Sequence, residues 1–361
     1  MWLQSILVSS LTLDRKLLFS LFTCVMAVTI TEAALRLAGL PEGTFQVVAP
    51  GQAGLWPAGF SAEVTLGPIP YHVVANTDGF RGPPLRTDGA PRVACIGDSM
   101  TDGFYVDNPH TYPAALQRSL TARGADVEVV NAARGGGSID RFAAILEQTV
   151  LPRLDPDLVV VTWVNNDPWE LGRSAFMPEE PQATDSIVRF LLRNTALGEG
   201  LQRLALHRHT HYRPATGSGD ARYEIDGWDQ HAANSALFFE RFEGARRLLA
   251  LEPDPEVRSL FRSYGEALRV FLSRAAEAGV PVLYLIIPSY PEVYGAPRPH
   301  LEAIRPILAE TGTPHVDLLP VLQAAEEPVF LAPVDFHLTP EGNRVMAEAI
   351  TPDVLEALSL P

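Results

Sequence analysis

Five short apolar runs, separated by stretches of helical pattern, set the narrowest limit on what this chain can form. They are Arg92 to Ile96, Val127 to Val130, Leu158 to Val164, Val280 to Ile287 and His315 to Leu318. Strand and helix in alternation mean a parallel sheet with helices on both of its faces. The chain has 361 residues, 47% of them hydrophobic, which is ample for one large core and allows one or two domains. No internal repeat is evident.

The first run leads into Gly97-Asp98-Ser99-Met100-Thr101. A hydroxyl there stands at the carboxyl end of a central parallel strand, in the crevice where open α/β sheets bind ligands, with the next helix aiming its N-terminus at it. Ser99 therefore reads as a nucleophile; a serine that merely caps the helix is the alternative. Near the C-terminus, Asp335-Phe336-His337-Leu338-Thr339-Pro340-Glu341 puts His337 in the loop before a helix that starts at Thr339-Pro340, a place suited to presenting a base. The alternative is a loop histidine that helps the cap. Asn165-Asn166-Asp167 follows the third run directly, so an amide that can donate to an oxyanion stands at another strand end, unless it serves only an Asx turn.

After the second run come Asn131-Ala132-Ala133-Arg134-Gly135-Gly136-Gly137-Ser138, a glycine cluster whose backbone N–H groups stay accessible and can stabilise an oxyanion. A phosphate-cradling loop fits poorly, because no lysine follows and the G-x-G-x-x-G spacing fails at Asp140.

These four blocks, in this order, resemble the SGNH (GDSL-like) hydrolase superfamily over roughly residues 70 to 357. The resemblance implies Ser99 as nucleophile and His337 as base, with Gly136 and the Asn166 side chain joining the Ser99 N–H in the oxyanion hole. It also implies a three-layer α/β/α flavodoxin-like sandwich. Upstream, Asn76-Thr77-Asp78-Gly79-Phe80-Arg81-Gly82 is similar to the lead-in of bacterial members that carry an N-terminal membrane segment. Three positions depart from the family pattern. Val334 stands where the acid of the triad is usual, three residues before the histidine, so Asp335, two before it, is expected to take that part; a Ser-His dyad is the alternative. Val164 and Ala133 replace family glycines and reshape the pocket floor. The G-x-S-x-G elbow of an α/β-hydrolase lipase is excluded by Thr101.

Composition narrows the partners. A net charge of -15 argues against nucleic acid, whose phosphates need clustered Lys and Arg, and fits neutral substrates better. No cofactor is called for. The two cysteines, Cys24 and Cys95, imply no disulfide framework. His207, His209 and His211 alternate in sequence, but no carboxylate or cysteine of recognised spacing completes a metal site with them, so a polar loop is expected.

From Leu17 to Thr31 no charge interrupts the chain, and Arg15 and Lys16 precede it. Fifteen helical residues span only about 22 Å, short of a hydrocarbon core of roughly 30 Å, although the apolar face can continue to Leu37 with Glu32 and Arg36 spaced to pair. A signal anchor with its N-terminus inside is the first reading. A cleaved signal peptide and an amphipathic helix docked on the domain are the others. The expected organisation is this signal segment over residues 1–39, a Pro- and Gly-rich linker or wrapping segment over 40–69, and a catalytic domain over 70–361. Within it, 168–255 is too long for one crossover and reads as an insertion whose Phe176, Ile187, Phe190, Trp228, Phe238, Phe239 and Phe242 either roof the site or pack on the sheet edge.

The expected function is hydrolysis of a small-molecule or glycan ester at the cell envelope through an acyl-enzyme on Ser99. Transfer of the acyl group onto an envelope glycan, and a non-catalytic glycan-binding protein of the same fold, are the alternatives.

Overall fold

The computed structural model describes residues 2–37, 55–64, 69–171, 222–242 and 244–360. The chain divides into two compact units, Met1–Val47 with Pro181–His211 and Val48–Glu180 with Tyr212–Pro361.

In the first unit the described element is one helix, Trp2–Leu37. Its segment Leu17–Leu37 is 21 residues long with a mean hydropathy of 1.8, and its side chains are not buried. At 1.5 Å per residue this segment is about 32 Å long, enough for a hydrocarbon core of roughly 30 Å. The count of fifteen residues stopped at Thr31. The helix passes the charges beyond it because Glu32 pairs with Arg36 one turn later, at 2.7 Å. Thr23, Thr29 and Thr31 each donate to the carbonyl four residues back, at 2.8 Å, so their hydroxyls need no outside partner.

The second unit is built on a five-stranded parallel sheet. Two strands precede it, β1 (Ser61–Val64) and β2 (Tyr71–Val74), paired antiparallel. The sheet itself holds β3 (Arg92–Ile96), β4 (Glu128–Asn131), β5 (Leu158–Trp163), β6 (Val282–Ile286) and β7 (His315–Asp317), in the order β4-β3-β5-β6-β7. The chain moves outward from β3 to β4 and then returns to the other side of β3. The strand order therefore reverses between β3 and β5, and a crevice opens at their carboxyl ends. This is the expected three-layer arrangement.

Side chains that alternate along each strand build two cores. Ala94, Ile96, Val159, Val161 and Trp163 face the helices Ile139–Ile145, Pro255–Glu277 and Leu301–Thr311. Val93, Cys95, Leu158, Val160, Leu283 and Leu285 face Tyr112–Ala122 and Pro340–Ala357. β5 is buried at every position, as a strand covered on both faces must be.

Part of the segment expected as a linker or wrapping segment is packed structure. Leu55 and Trp56 are buried, and Trp56, Val64, Ile69, Tyr71 and Val73 form a third cluster with Tyr105 and Leu331. The remainder of 40–69, namely 40–54 and 65–68, lies outside the described residues, as do Phe176, Ile187, Phe190, His207, His209 and His211.

Candidate active site

β3 stops at Ile96 and the chain turns through Gly97. A Cβ on Gly97 would sit 2.1 Å from Thr101 Oγ1 and 2.3 Å from Thr162 Oγ1, and those hydroxyls are bonded to each other at 2.9 Å. Only glycine allows this close crossing of the turn over β5. Asp98 then caps the short helix Ser99–Asp102 by accepting the Met100 N–H at 2.9 Å, which leaves Ser99 as its first residue. The Ser99 N–H has no acceptor among the described residues.

His337 reaches this point from the loop before Pro340–Ala357. Its Nε2 lies 2.8 Å from Ser99 Oγ, and its Nδ1 lies 2.6 Å from Asp335 Oδ1. The same Oδ1 accepts the Phe336 and His337 N–H groups at 2.7 and 3.0 Å. The turn thus folds the carboxylate back over its own backbone, and that is how an acid only two residues from the histidine reaches the ring. Val334, in the usual place of the acid, offers its carbonyl to Arg241 at 2.7 Å. Phe104 stacks on the imidazole at 5.5 Å and Tyr105 meets its edge at 5.2 Å.

The charges follow from these contacts. Burial alone would raise the Asp335 carboxyl, but the His337 charge and hydrogen bonds outweigh it and hold the carboxyl below its ordinary range. Burial alone would lower His337, yet Asp335 and then Asp98 raise it above the usual imidazole value. Asp98 is pushed up to about 6 because its burial exceeds the help from the Met100 N–H and His337.

Across the crevice stand the glycine loop and Asn166. Gly136 has φ +78°, a left-handed backbone, and its N–H has no acceptor among the described residues. The loop is pinned to the Ser99 helix by Asp102, whose Oδ2 accepts the Gly135 N–H at 2.9 Å and whose Oδ1 accepts Trp56 Nε1 at 2.9 Å. Arg81, from the Asn76–Gly82 block, is buried and donates to the carbonyls of Asp102, Gly103 and Val106 at 2.5, 2.8 and 2.6 Å, holding the turn behind the serine. Asn166 precedes the short helix Asp167–Glu170. Its Nδ2 donates to Glu170 Oε1 at 2.9 Å, and the Gly137 N–H donates to Glu170 Oε2.

Ser99, Gly136, Asn166, Glu170 and His337 line one cavity of about 800 Å³. Asp335 touches the ring from behind. The apolar wall includes Met100, Trp169, Phe238, Phe242, Leu248 and Phe336. Of the inserted segment's aromatics expected at the site or the sheet edge, Phe238 and Phe242 join Trp169 in this wall, and Phe238 packs edge-on against Phe336 at 4.9 Å. Trp228 instead packs against His231 at 5.4 Å, and Phe239 lies under Arg246 at 4.6 Å. Among the described residues no group of three His, Cys, Asp or Glu side chains is placed to hold a metal ion.

Glu170 and Asp102 were not singled out from sequence. For Glu170 a signal existed in its spacing, four residues after Asn166 on a helix start, which puts the two side chains on one face. Asp102 had a weaker one, three residues after Ser99.

Residues 95–345, well over half the chain, match the GDSL-like lipase/acylhydrolase family. None of the curated protein sequences matches significantly. Among solved structures, TesA is similar at 17% identity and a TM-score of 0.41, over 74% of this chain and 99% of that one. LAE5, an alpha/beta hydrolase enzyme from the metagenome of Lake Arreo, Spain, aligns at 17% identity and a TM-score of 0.40, over 75% and 96%. A catalytic mutant of Axe2, an acetylxylan esterase from Geobacillus stearothermophilus, aligns at 14% identity and a TM-score of 0.39, over 76% and 98%.

Proposed function

The chain belongs to the GDSL-like lipase/acylhydrolase family of ester-hydrolysing enzymes, and from that premise we propose that it cleaves its ester through an acyl-enzyme on Ser99. His337 Nε2 takes the proton of Ser99 Oγ as the oxygen attacks the ester carbonyl carbon. Asp335 holds the Nδ1–H tautomer and stabilises the imidazolium. The Ser99 and Gly136 N–H groups and the Asn166 amide receive the developing oxyanion. His337 then gives its proton to the leaving alcohol, and water repeats the sequence on the acyl group. The observation that carries this reading is the continuous contact from Asp335 through His337 to Ser99, at 2.6 and 2.8 Å. A small-molecule or glycan ester suits the mainly apolar wall of the cavity.

Ser99→Ala tests it on p-nitrophenyl acetate and longer acyl esters, with and without a glycan acceptor. We expect turnover to vanish while Tm moves by only a few degrees, and a burst of nitrophenol in the wild type. Substantial residual turnover would remove Ser99 from the mechanism, and acyl transfer to the glycan in preference to water would make the protein an O-acyltransferase.

The apolar helix extends the proposal to location: Leu17–Leu37 anchors the chain in the cell membrane with the catalytic unit outside. The full-length protein is then expected to stay with membranes after a carbonate wash and to be digested by protease added to spheroplasts. Protection of the catalytic unit would invert the topology, and a shortened soluble product would mean a cleaved signal.

A further inference from the structure

A carboxylate sits on the oxyanion side of the cavity. Glu170 accepts the Asn166 amide with one oxygen, at 2.9 Å, and the Gly137 N–H with the other. These donors come from opposite sides of the crevice, one after β5 and one after β4. Building on the esterase reading above, we propose that Glu170 competes with the substrate for the oxyanion site, so that each turnover begins with displacement of this internal carboxylate.

Three observations carry it. A carboxylate and a tetrahedral oxyanion are both oxygen anions drawn to the Asn166 amide, the one proposed oxyanion donor that Glu170 engages, while the Gly137 N–H fixes the other carboxylate oxygen beside it. Glu170 also stands in an unfavourable field: its charge contributes to raising the buried carboxyls of both Asp98 and Asp167. The two donors hold the carboxylate in this position, and Arg141 braces the same loop by donating to the Gly136 carbonyl at 2.7 Å. Finally, Glu170 is only partly buried and lines the cavity, so rotation about its side chain carries the carboxylate toward the cavity's water without unfolding anything. The site so formed selects a class of ligand, small carboxylates, which includes the acid released by ester hydrolysis.

Removing the charge should therefore open the site. Glu170→Gln and Glu170→Ala, compared with the wild type, are tested by the rate at which a fluorophosphonate labels Ser99, where Ser99 Oγ displaces fluoride from phosphorus and the phosphoryl oxygen enters the oxyanion site. Acetate binding by calorimetry supplies a readout that needs no turnover. Both variants should label at least about tenfold faster and bind acetate at least about tenfold more tightly, since each loses charge-assisted hydrogen bonds that compete with the ligand. Labelling that slows, or stays equal with unchanged acetate affinity, overturns the competition and makes Glu170 a brace for the two donors. Glu170→Gln, nearly isosteric, guards against a folding defect in Glu170→Ala. Failure of wild type and variants alike to label would instead defeat the esterase reading, and the competition with it; Ser99→Ala in parallel identifies the labelled residue.

Discussion

On one wall of the crevice the groups proposed to generate the nucleophile already touch, Ser99 to His337 at 2.8 Å and His337 to Asp335 at 2.6 Å; on the other wall Asn166 and Gly137 are bonded to Glu170. The first wall is fixed by short-range backbone geometry. A helix cap sets the serine, and a turn whose N–H groups point at Asp335 sets the acid. The second wall depends on two loops from neighbouring strands meeting, and an internal anion bridges them. The contrast teaches that the contacts proposed for proton transfer are complete at rest, whereas one proposed oxyanion donor, the Asn166 amide, is engaged by a carboxylate of the protein itself.

The largest effect that can break this contrast is expected at Asp335. Asp335→Asn should lower kcat by about 10⁴, the loss typical when the orienting acid fixes the wrong tautomer. Its pH profile should move as well. The proposed relay needs neutral His337, and because Asp335 raises that group, the acid limb of the wild type is expected above the ordinary imidazole range. Without the carboxylate, burial prevails and the limb shifts to lower pH. A near-wild-type rate would leave a Ser-His dyad.

Asn166→Ala comes next and probes the other wall, with an expected loss of about 10² to 10³ in kcat and little change in KM. A loss below tenfold would mean that Asn166 serves Glu170 more than the oxyanion. The smallest effect is expected from Asp98→Asn, because asparagine caps a helix as well as aspartate does. The folded carboxyl titrates at about 6 against an ordinary 3.8, so the folded state holds the extra proton, and wild-type stability declines as pH rises across that window. The variant should lose this decline, with its Tm at pH 7 unchanged or higher, and its activity limb should move slightly to lower pH. A lowered Tm would show that the charged cap is needed.

Much of this molecule is legible in the order of its residues. The five apolar runs mark the five parallel strands to within two residues at each end, most plainly at β5 and β6, which are buried at every position and so read as nearly continuous apolar runs. Ser99, His337 and Asn166 stand out for a related reason, as polar groups at the ends of strands or at the start of a helix. The part of Asp335 was harder to read, since its two-residue offset gains meaning only from a turn in which one oxygen meets two N–H groups and a ring nitrogen. Glu170 and Asp102 were harder still. Their partners, Gly137 and Trp56, are 33 and 46 residues away, and no local pattern announces such pairings. The Pro- and Gly-rich stretch before the sheet hid β1 and the burial of Trp56 in the same way, because turn residues punctuate packed arms and free linkers alike.

The clasp made by Trp56, Arg81 and Asp102 bears on where this enzyme begins. The family match opens at residue 95, inside β3, yet two of the three clasping side chains lie upstream of it. A chain trimmed to the match would leave the Asp102 carboxylate, fully buried in the intact unit, with neither indole nor guanidinium beside it. Stranding one member of such a buried pair typically costs about 3–5 kcal/mol, and here the cost falls on the joint between the serine helix and the glycine loop. The shortest piece that keeps both upstream partners of Asp102 therefore starts before Leu55.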